Sequence, residues 1–316
     1  MGSQRQHFVP EFLLAGFVGP TGRLFCYDKW SDRVFETSPE KAAKENGFYD
    51  FELQGVFLTL EPALADLEAK TAPIIRKIIE TRTLLSLPVE ERETLALFCC
   101  AQIHRDKNAH AAAVDLEEKI AEFARNIRGP EGQIAEYKRM TPEDTRLISL
   151  KALIEAPKYV PLFLNKNWSL QLAPANQPFY ISDSPVTFDN HRQFGFYGNI
   201  GLGVPGIQIA LPLSSTLNLW ITCPTIGAEF RSEYQKASLS GVPISQKSMR
   251  DLKAVMDSFK GEKPYVMMPE HIDRANSLQV AKCERFLYSA SNDFSVAKNM
   301  IAKFPETKKG RRMRVD

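Results

Sequence analysis

Apolar residues recur at helical spacing in the first half of the chain and alternate as in strands later. Residues 59–82 carry an apolar residue every three to four positions, which predicts a long helix. A second long helix is predicted from Pro88 past Arg105 toward Arg125, and Gly129-Pro130 ends it. Strand-like alternation follows in residues 168–172, 179–182, 208–213 and 217–222. These patterns predict an α+β fold with a helical half packed on a mixed, mainly antiparallel sheet.

Shorter elements are predicted between and around these segments. They are helices at 11–17, 38–47, 245–259 and 272–283, a hairpin of strands 23–27 and 33–37, and a strand at 286–288. Thr141, followed by two acidic residues, has the pattern of a helix start. We interpret residues 1–303 as one α+β domain with a weak subdivision point near 157–161. A basic flexible tail is predicted at 304–316.

The composition excludes some classes of protein. The 316 residues include 40 basic and 38 acidic side chains, a net charge of +2, which argues against a non-specific nucleic-acid coat protein. The basic tail is either a solvated end or an arm for nucleic acid or an acidic partner. Five cysteines with no framework spacing indicate reduced thiols. No signal-peptide pattern or membrane-length apolar run is present, so we expect a cytoplasmic protein with no membrane partner.

Several polar residues fall in phase with apolar positions. Glu61 and Glu68 share one face of the first long helix, and Gln102 and Arg105 extend the apolar stripe of the second. If the two helices pack as an antiparallel pair, Glu68 and Arg105 meet. A buried carboxylate needs a partner, so the pair is either a structural salt bridge or part of a polar pocket that binds a ligand, metal or phosphate.

Three further residues are candidates for chemistry. His7, before Val9 and Pro10, is either held by a backbone carbonyl or acts as a general base or metal ligand. Ser182 and Asp183 end a predicted strand, where functional carboxylates are common. Asp183 could ligate Mg²⁺ or Mn²⁺, or the two residues could cap a turn.

A set of motifs resembles a widespread, mainly bacterial family known as domain of unknown function number 4238. The opening His-Phe-Val-Pro at His7 with its Leu-x-x-Phe helix and the strand motif Ser-Asp-Ser-Pro at Ser182 are the specific matches. The matching segments are 6–17, 48–49, 61–68, 102–105, 168–170, 179–186 and 276–289. Ser184 stands where many relatives have Asn. The resemblance implies a bacterial or mobile-element setting but supplies no activity or substrate.

Two classes of function follow from these residues. The first is a binding protein that recognises nucleic acid, a nucleotide or a protein partner, in bacterial defence or a mobile element. The alternative is a metal-dependent phosphodiesterase or nuclease-like effector. In that case His7, Glu68, Arg105 and Asp183 are catalytic, Gln102 and Ser182 contact substrate, and Glu61, Glu68 and Asp183 hold Mg²⁺ or Mn²⁺.

Overall fold

In a computed structural model of the protein, the residues whose structure is described are 5–53, 56–105, 114, 118, 141–174, 176–194, 200–239 and 246–310. The helices are α1 Glu11–Leu14, α2 Glu61–Thr81, α3 Val89–His104, α4 Pro142–Ile154, α5 Val160–Leu164, α6 Pro224–Leu239, α7 Gln246–Ser258, α8 Pro269–Lys282 and α9 Ser295–Lys303. The strands are β1 Arg5–His7, β2 Leu24–Asp28, β3 Arg33–Thr37, β4 Lys44–Asn46, β5 Asp50–Leu53, β6 Val56–Thr59, β7 Asn167–Leu172, β8 Ile181–Ser182, β9 Thr187–Asp189, β10 Gln208–Pro212, β11 Leu217–Thr222, β12 Tyr265–Val266 and β13 Phe286–Ser289.

The strands form two larger sheets and two small ones. One sheet has four strands in the order β3-β2-β13-β8, and the other has five in the order β12-β7-β11-β10-β9. All pairs are antiparallel except β12 with β7, which are parallel. β1 pairs with β4, and β5 pairs with β6. The predicted α+β fold with a mixed, mainly antiparallel sheet is therefore confirmed.

The alternation in β11 gives the five-stranded sheet two different faces. Leu219 and Ile221 are buried in the main hydrophobic cluster. Because successive side chains of a strand point to opposite faces, Asn218, Trp220 and Thr222 lie on the other side of the sheet. The opposite face is polar around Trp220, whose ring also belongs to the main hydrophobic cluster.

Helices α2 and α3 form an antiparallel hairpin, as the sequence pattern predicts. Near their connection, Lys77 Nζ lies 2.9 Å from Glu91 Oε2, and at the far end Arg105 Nη2 lies 2.6 Å from Glu68 Oε1. Apolar side chains of both helices enter the same cluster as those of the five-stranded sheet. The helical half is therefore packed on the sheet through one continuous core.

The interpretation of residues 1–303 as one domain stays a prediction. The main hydrophobic cluster extends from Phe8 to Tyr288 and so includes residues on both sides of 157–161. Residues 157–161 lie in a 3₁₀ turn and the start of α5. In the predicted tail, the backbone N–H of Gly310 donates to Glu284 Oε2 at 3.2 Å. Gly310 is therefore buried against the protein, whereas residues 304–309 are mostly exposed, and the end of the predicted tail falls outside the described residues.

The helix predicted at 38–47 is wrong. Residues 38–43 form turns, and Lys44–Asn46 is the strand that pairs with Arg5–His7. Ala43 has a φ of 50°, in the left-handed region, and a helix cannot continue through that conformation. Backbone pairing with β1 replaces the hydrogen bonds that a short helix would have made.

Other element boundaries also differ from the sequence prediction. Helix α3 ends at His104, and the predicted continuation toward Arg125 falls outside the described residues. The strand predicted at 179–182 is limited to Ile181–Ser182. Helices α6 and α9 were not predicted. In α6 the fully buried residues are only Ile226 and Gly227, so its apolar pattern is weak.

Among the described residues, no helix combines the length and the apolar character needed to cross a bilayer. All five cysteines carry free thiols, and Cys223 alone among them is partly exposed. The reduced state of these thiols stays a prediction.

Candidate functional site

Four of the residues predicted to form a polar centre meet beside the first strand. Arg105 Nη2 lies 2.6 Å from Glu68 Oε1, so the predicted pairing of these residues is confirmed. The same nitrogen donates to the backbone carbonyl of His7 at 2.9 Å. Gln102 Nε2 donates to the backbone carbonyl of Phe8 at 2.7 Å. The α2–α3 hairpin thus binds the backbone of the chain where β1 ends.

The backbone of His7, rather than its ring, makes these contacts. The Tyr49 hydroxyl also donates to the His7 carbonyl, at 2.8 Å, and the Arg105 guanidinium lies 5.5 Å from the centre of the Tyr49 ring. The half-buried ring of His7 has its Nε2 3.4 Å from the carbonyl oxygen of Pro39. Burial, with the charge of Lys44, lowers the pKa of His7 to about 4. The imidazole is therefore neutral at pH 7.

Glu61, at the start of α2, interacts electrostatically with Arg105 and Glu68 of this network. Burial raises the pKa of the Glu61 carboxyl, Arg105 opposes the rise and Glu68 adds to it. The Arg105 side chain is only 1% exposed. Its Nε and Nη1 atoms have no hydrogen-bond partner in the described part of the chain. A small pocket of about 110 Å³ borders this guanidinium and the ring of Tyr49.

Asp183 lies in a different part of the fold. Its carboxylate accepts hydrogen bonds from the backbone N–H groups of Glu284, Arg285 and Phe286 at 2.8, 2.7 and 2.9 Å. Complete burial raises the pKa of this carboxyl, and the three N–H donors oppose the rise. Asp183 thus fixes the start of β13, and the structure does not bring it to the Arg105 network.

Ser182 is engaged by helix α8. Its backbone N–H and its hydroxyl donate to Gln279 Oε1 at 3.1 and 2.7 Å, and Gln279 Nε2 donates to the carbonyl of Pro185 at 2.8 Å. One turn earlier on α8, Asn276 Oδ1 accepts from the backbone N–H of Tyr180 at 2.8 Å. The Ser-Asp-Ser-Pro motif and the motif that starts at Asn276 therefore interlock. The hydroxyl predicted to contact substrate is used inside the protein.

The three carboxylates predicted to hold Mg²⁺ or Mn²⁺ do not converge. Glu61 and Glu68 lie beside Arg105, whereas Asp183 lies at the junction of β8 and β13. Within the described residues, no group of three or more His, Cys, Asp or Glu side chains could hold a metal ion. The predicted polar centre is thus two separate networks, each built on backbone hydrogen bonds.

A pocket of about 450 Å³ lies elsewhere, between the five-stranded sheet and helices α6, α7 and α8. Its floor is the polar face of the sheet, with Ala210 and Trp220 side by side on paired strands. The helices supply Phe230, Asp251, Leu252, Val255, His271, Arg274, Ala275 and Leu278, and β12 with the residues after it supplies Tyr265, Met267 and Met268. Pockets of this size and mixed lining hold small organic molecules.

The strand register brings polar side chains together on this floor. Asn218 of β11 is paired with Gln171 of β7, and Ala210 of β10 is paired with Thr187 of β9. Asn218 is 1%, Thr187 2% and Gln171 8% exposed. Burying amides and hydroxyls under helices is costly unless they are hydrogen-bonded. The polar side chains of this face therefore need hydrogen-bond partners beneath the helices that cover them.

The two amides are only partly satisfied by the protein. Asn218 Nδ2 donates to Gln171 Oε1 at 2.7 Å. Among the described residues, Asn218 Oδ1 and Thr222 Oγ1, on the same face, have no hydrogen-bond partner. An unsatisfied buried acceptor costs about 1–3 kcal/mol. An N–H or O–H donor placed beside the Asn218 carbonyl would remove that cost.

Charged groups stand around the pocket. Arg274 donates from Nε and Nη2 to Asp189 Oδ2 at 3.0 and 2.5 Å, so these two charges offset each other. Asp251 has no ion pair or hydrogen bond with the residues that the structure describes. Burial raises the pKa of Tyr265, and the charge of Asp251 adds to the rise, which places that carboxylate near the phenol.

Sequence reasoning missed this pocket. One signal was available, because Asn218 and Thr222 alternate with apolar residues in a segment that was predicted as a strand. A polar strand face is ordinarily read as solvated. Here α6 and α7 cover it, and α6 was not predicted.

The fold and the pocket define an α+β protein with a buried, partly polar site on the face of an open sheet. The chain belongs to the family described as protein of unknown function (DUF4238), whose model matches residues 5–293. The match includes both polar networks and the pocket. No curated protein and no solved structure matches the chain.

Proposed function

We propose that this protein is a binding protein and that its ligand is a small organic molecule held between the five-stranded sheet and helices α6–α8. One observation carries the proposal: the polar face of that sheet is buried and borders a pocket of about 450 Å³. Apolar and aromatic walls with a few convergent polar groups are typical of ligand sites.

A purely structural role, in which the sheet face only packs against the helices, accounts less well for its polar residues. A sheet face that only packed against helices would carry apolar residues, as the opposite face of β11 does. The Asn218–Gln171 pair instead offers one amide to its neighbour and leaves a carbonyl without a donor. The arrangement supports recognition of a ligand with at least one N–H or O–H group.

The charges of the pocket bear on the partners expected from the sequence. Phosphate groups bind arginine forks, helix N-termini or clustered cations. In this pocket the Arg274 guanidinium is already engaged by Asp189, and Asp251 adds negative charge. The pocket therefore favours a base, an amine or another neutral or positive molecule over the phosphates of a nucleotide.

The test is a thermal-shift screen of a metabolite library against the full chain and against Ala210→Phe. Ala210 lines the pocket floor between Thr187 and Trp220, so a phenyl ring there is expected to occupy ligand space rather than overpack the core. A ligand at one hundred times its dissociation constant stabilises a protein by about 2.7 kcal/mol. We expect compounds that stabilise the wild type to lose this effect in Ala210→Phe.

A matched control is Ala302→Leu, which enlarges an exposed alanine on α9. This variant keeps the wild-type response. If Ala210→Phe does not fold, Ala275→Phe fills the same pocket from α8. Equal ligand shifts in the wild type and in the pocket-filling variant would show that binding occurs elsewhere, and the proposal would fail.

A further inference from the structure

The unbalanced charge of the pocket points to the kind of molecule that it selects. Asp189 and Arg274 form a pair at one side, and Arg274 is largely exposed. Asp251, on α7, is half-buried and has no ionic partner among the described residues. Arg250 and Lys253 of the same helix are exposed and do not line the pocket. Of the Asp and Arg side chains that line the pocket, Asp251 is thus the one whose charge no described residue offsets.

Aromatic rings stand beside this charge. The pocket is lined by Trp220, Phe230 and Tyr265. The charge of Asp251 contributes to the raised pKa of Tyr265. The Trp220 ring is fixed by stacking on Phe259, with ring centres 5.5 Å apart and planes inclined by 30°. Rings held in this way present a negative π-face to a cation, and a desolvated cation gains about 2 kcal/mol from it.

We propose that the pocket binds a small organic cation, an amine carried on a flat apolar body. The ammonium group pairs with Asp251, and the apolar body lies against Trp220 and the methionines after β12. This inference rests on the proposed function, because it names the ligand class of the same pocket. An anion of the same shape is rejected, since it would meet an unpaired carboxylate in a partly desolvated space.

Three probes with one indole body and different charges test this inference at about pH 8, where aliphatic amines remain protonated. They are tryptamine, the neutral alcohol tryptophol and the anion indole-3-acetate. Isothermal titration calorimetry with the full chain should give the highest affinity for tryptamine, a lower one for tryptophol and the lowest for indole-3-acetate. The affinity for tryptamine should exceed that for tryptophol by about five-fold or more.

The variant Asp251→Asn tests whether Asp251 is the carboxylate that pairs with the ammonium group. In this variant the affinity for tryptamine should fall about ten-fold, while that for tryptophol changes by less than about two-fold. Asp257→Asn removes the same charge from an exposed position on α7 that does not line the pocket, and it should behave as the wild type. Comparable losses for tryptamine and tryptophol in Asp251→Asn would indicate lost structure rather than lost charge, and would overturn the assignment.

The remaining outcomes separate this inference from the proposed function. If indole-3-acetate binds as tightly as tryptamine, or if none of the three binds, the cation inference is wrong. If at the same time neutral library compounds still stabilise the wild type but not Ala210→Phe, the pocket remains a ligand site. Binding of all probes that is unaffected by Ala210→Phe contradicts both.

Discussion

Arg105 illustrates how a single buried charge can organise its surroundings. Its guanidinium is almost inaccessible to solvent, and it reaches both Glu68 and the carbonyl of His7 through one nitrogen. A charge in such a place is stabilised only by well-placed partners. Tyr49 adds a second donor to the same carbonyl. The residue therefore links two helices to the first strand, and this role does not require a ligand.

The His7 ring makes a testable contribution to stability as the pH changes. Its pKa is about 4 in the folded protein and about 6.5 in an unfolded chain. Below pH 6.5 the unfolded chain takes up a proton that the folded protein does not, so the free energy of unfolding falls as the pH drops toward 4. In His7→Gln this loss is absent. Urea unfolding at several pH values from 7 to 4.5 should show a shallower dependence for the variant.

Tyr49→Phe provides the control for this prediction. It removes the hydrogen bond to the His7 carbonyl and leaves the imidazole in place. This variant should be less stable than the wild type by about 1 kcal/mol and should keep the wild-type dependence on pH. Parallel curves for the wild type and His7→Gln would mean that the histidine titrates normally in the folded protein.

At the scale of elements, the α2–α3 hairpin was accessible from the sequence because both helices carry long periodic patterns. The phase of those patterns placed Glu68 and Arg105 on facing sides, and the structure has the pair. The same reasoning could not place Asp183. A carboxylate at a strand end can face solvent, a cleft or a neighbouring backbone, and the choice depends on strand β13, about a hundred residues later in the chain.

The interlock of α8 with β8 shows the same limit. The helix and the strand motif were each predicted, but their contact depends on the side-chain amides of Asn276 and Gln279. From sequence alone, such amides would be predicted to lie on a solvent-exposed face of the helix. Only the fold shows that they bind the backbone of the Ser-Asp-Ser-Pro segment.

The α2–α3 pairing predicts unequal effects of two similar substitutions. Glu68→Ala leaves the buried guanidinium of Arg105 without its carboxylate. We expect a loss of about 3 kcal/mol in the free energy of unfolding, at the low end for a buried pair because Glu68 is 24% exposed. Glu91→Ala breaks the partly exposed pair with Lys77 in the same hairpin and should cost less than about 1 kcal/mol. Denaturant unfolding of both variants makes the comparison.

A double variant tests whether the loss in Glu68→Ala comes from the unpaired charge of Arg105 or from lost packing of the Glu68 side chain. Arg105→Met in the Glu68→Ala background removes the uncompensated charge, so the double variant should be more stable than Glu68→Ala alone. Equal losses for Glu68→Ala and Glu91→Ala would show that Arg105 does not depend on its carboxylate partner, which contradicts the account of this network.

At the scale of the whole molecule, the pocket arises from elements that lie far apart in the chain. β7 and β11 supply the amides of the floor, and α6, α7 and α8 cover them. The strands were predicted from their alternation, but nothing in that alternation tells which face is covered. The fold class was therefore predictable from the sequence, whereas the candidate site required the tertiary arrangement.

The most direct measurement of the central claim is a crystal structure of the protein with the compound that stabilises it most in the screen. The account predicts ligand density between the five-stranded sheet and helices α6–α8, with a polar group of the ligand near Asn218 or Asp251. Density for the compound beside Arg105 and Tyr49, or at any other surface, with the sheet-floored pocket unchanged, would contradict it.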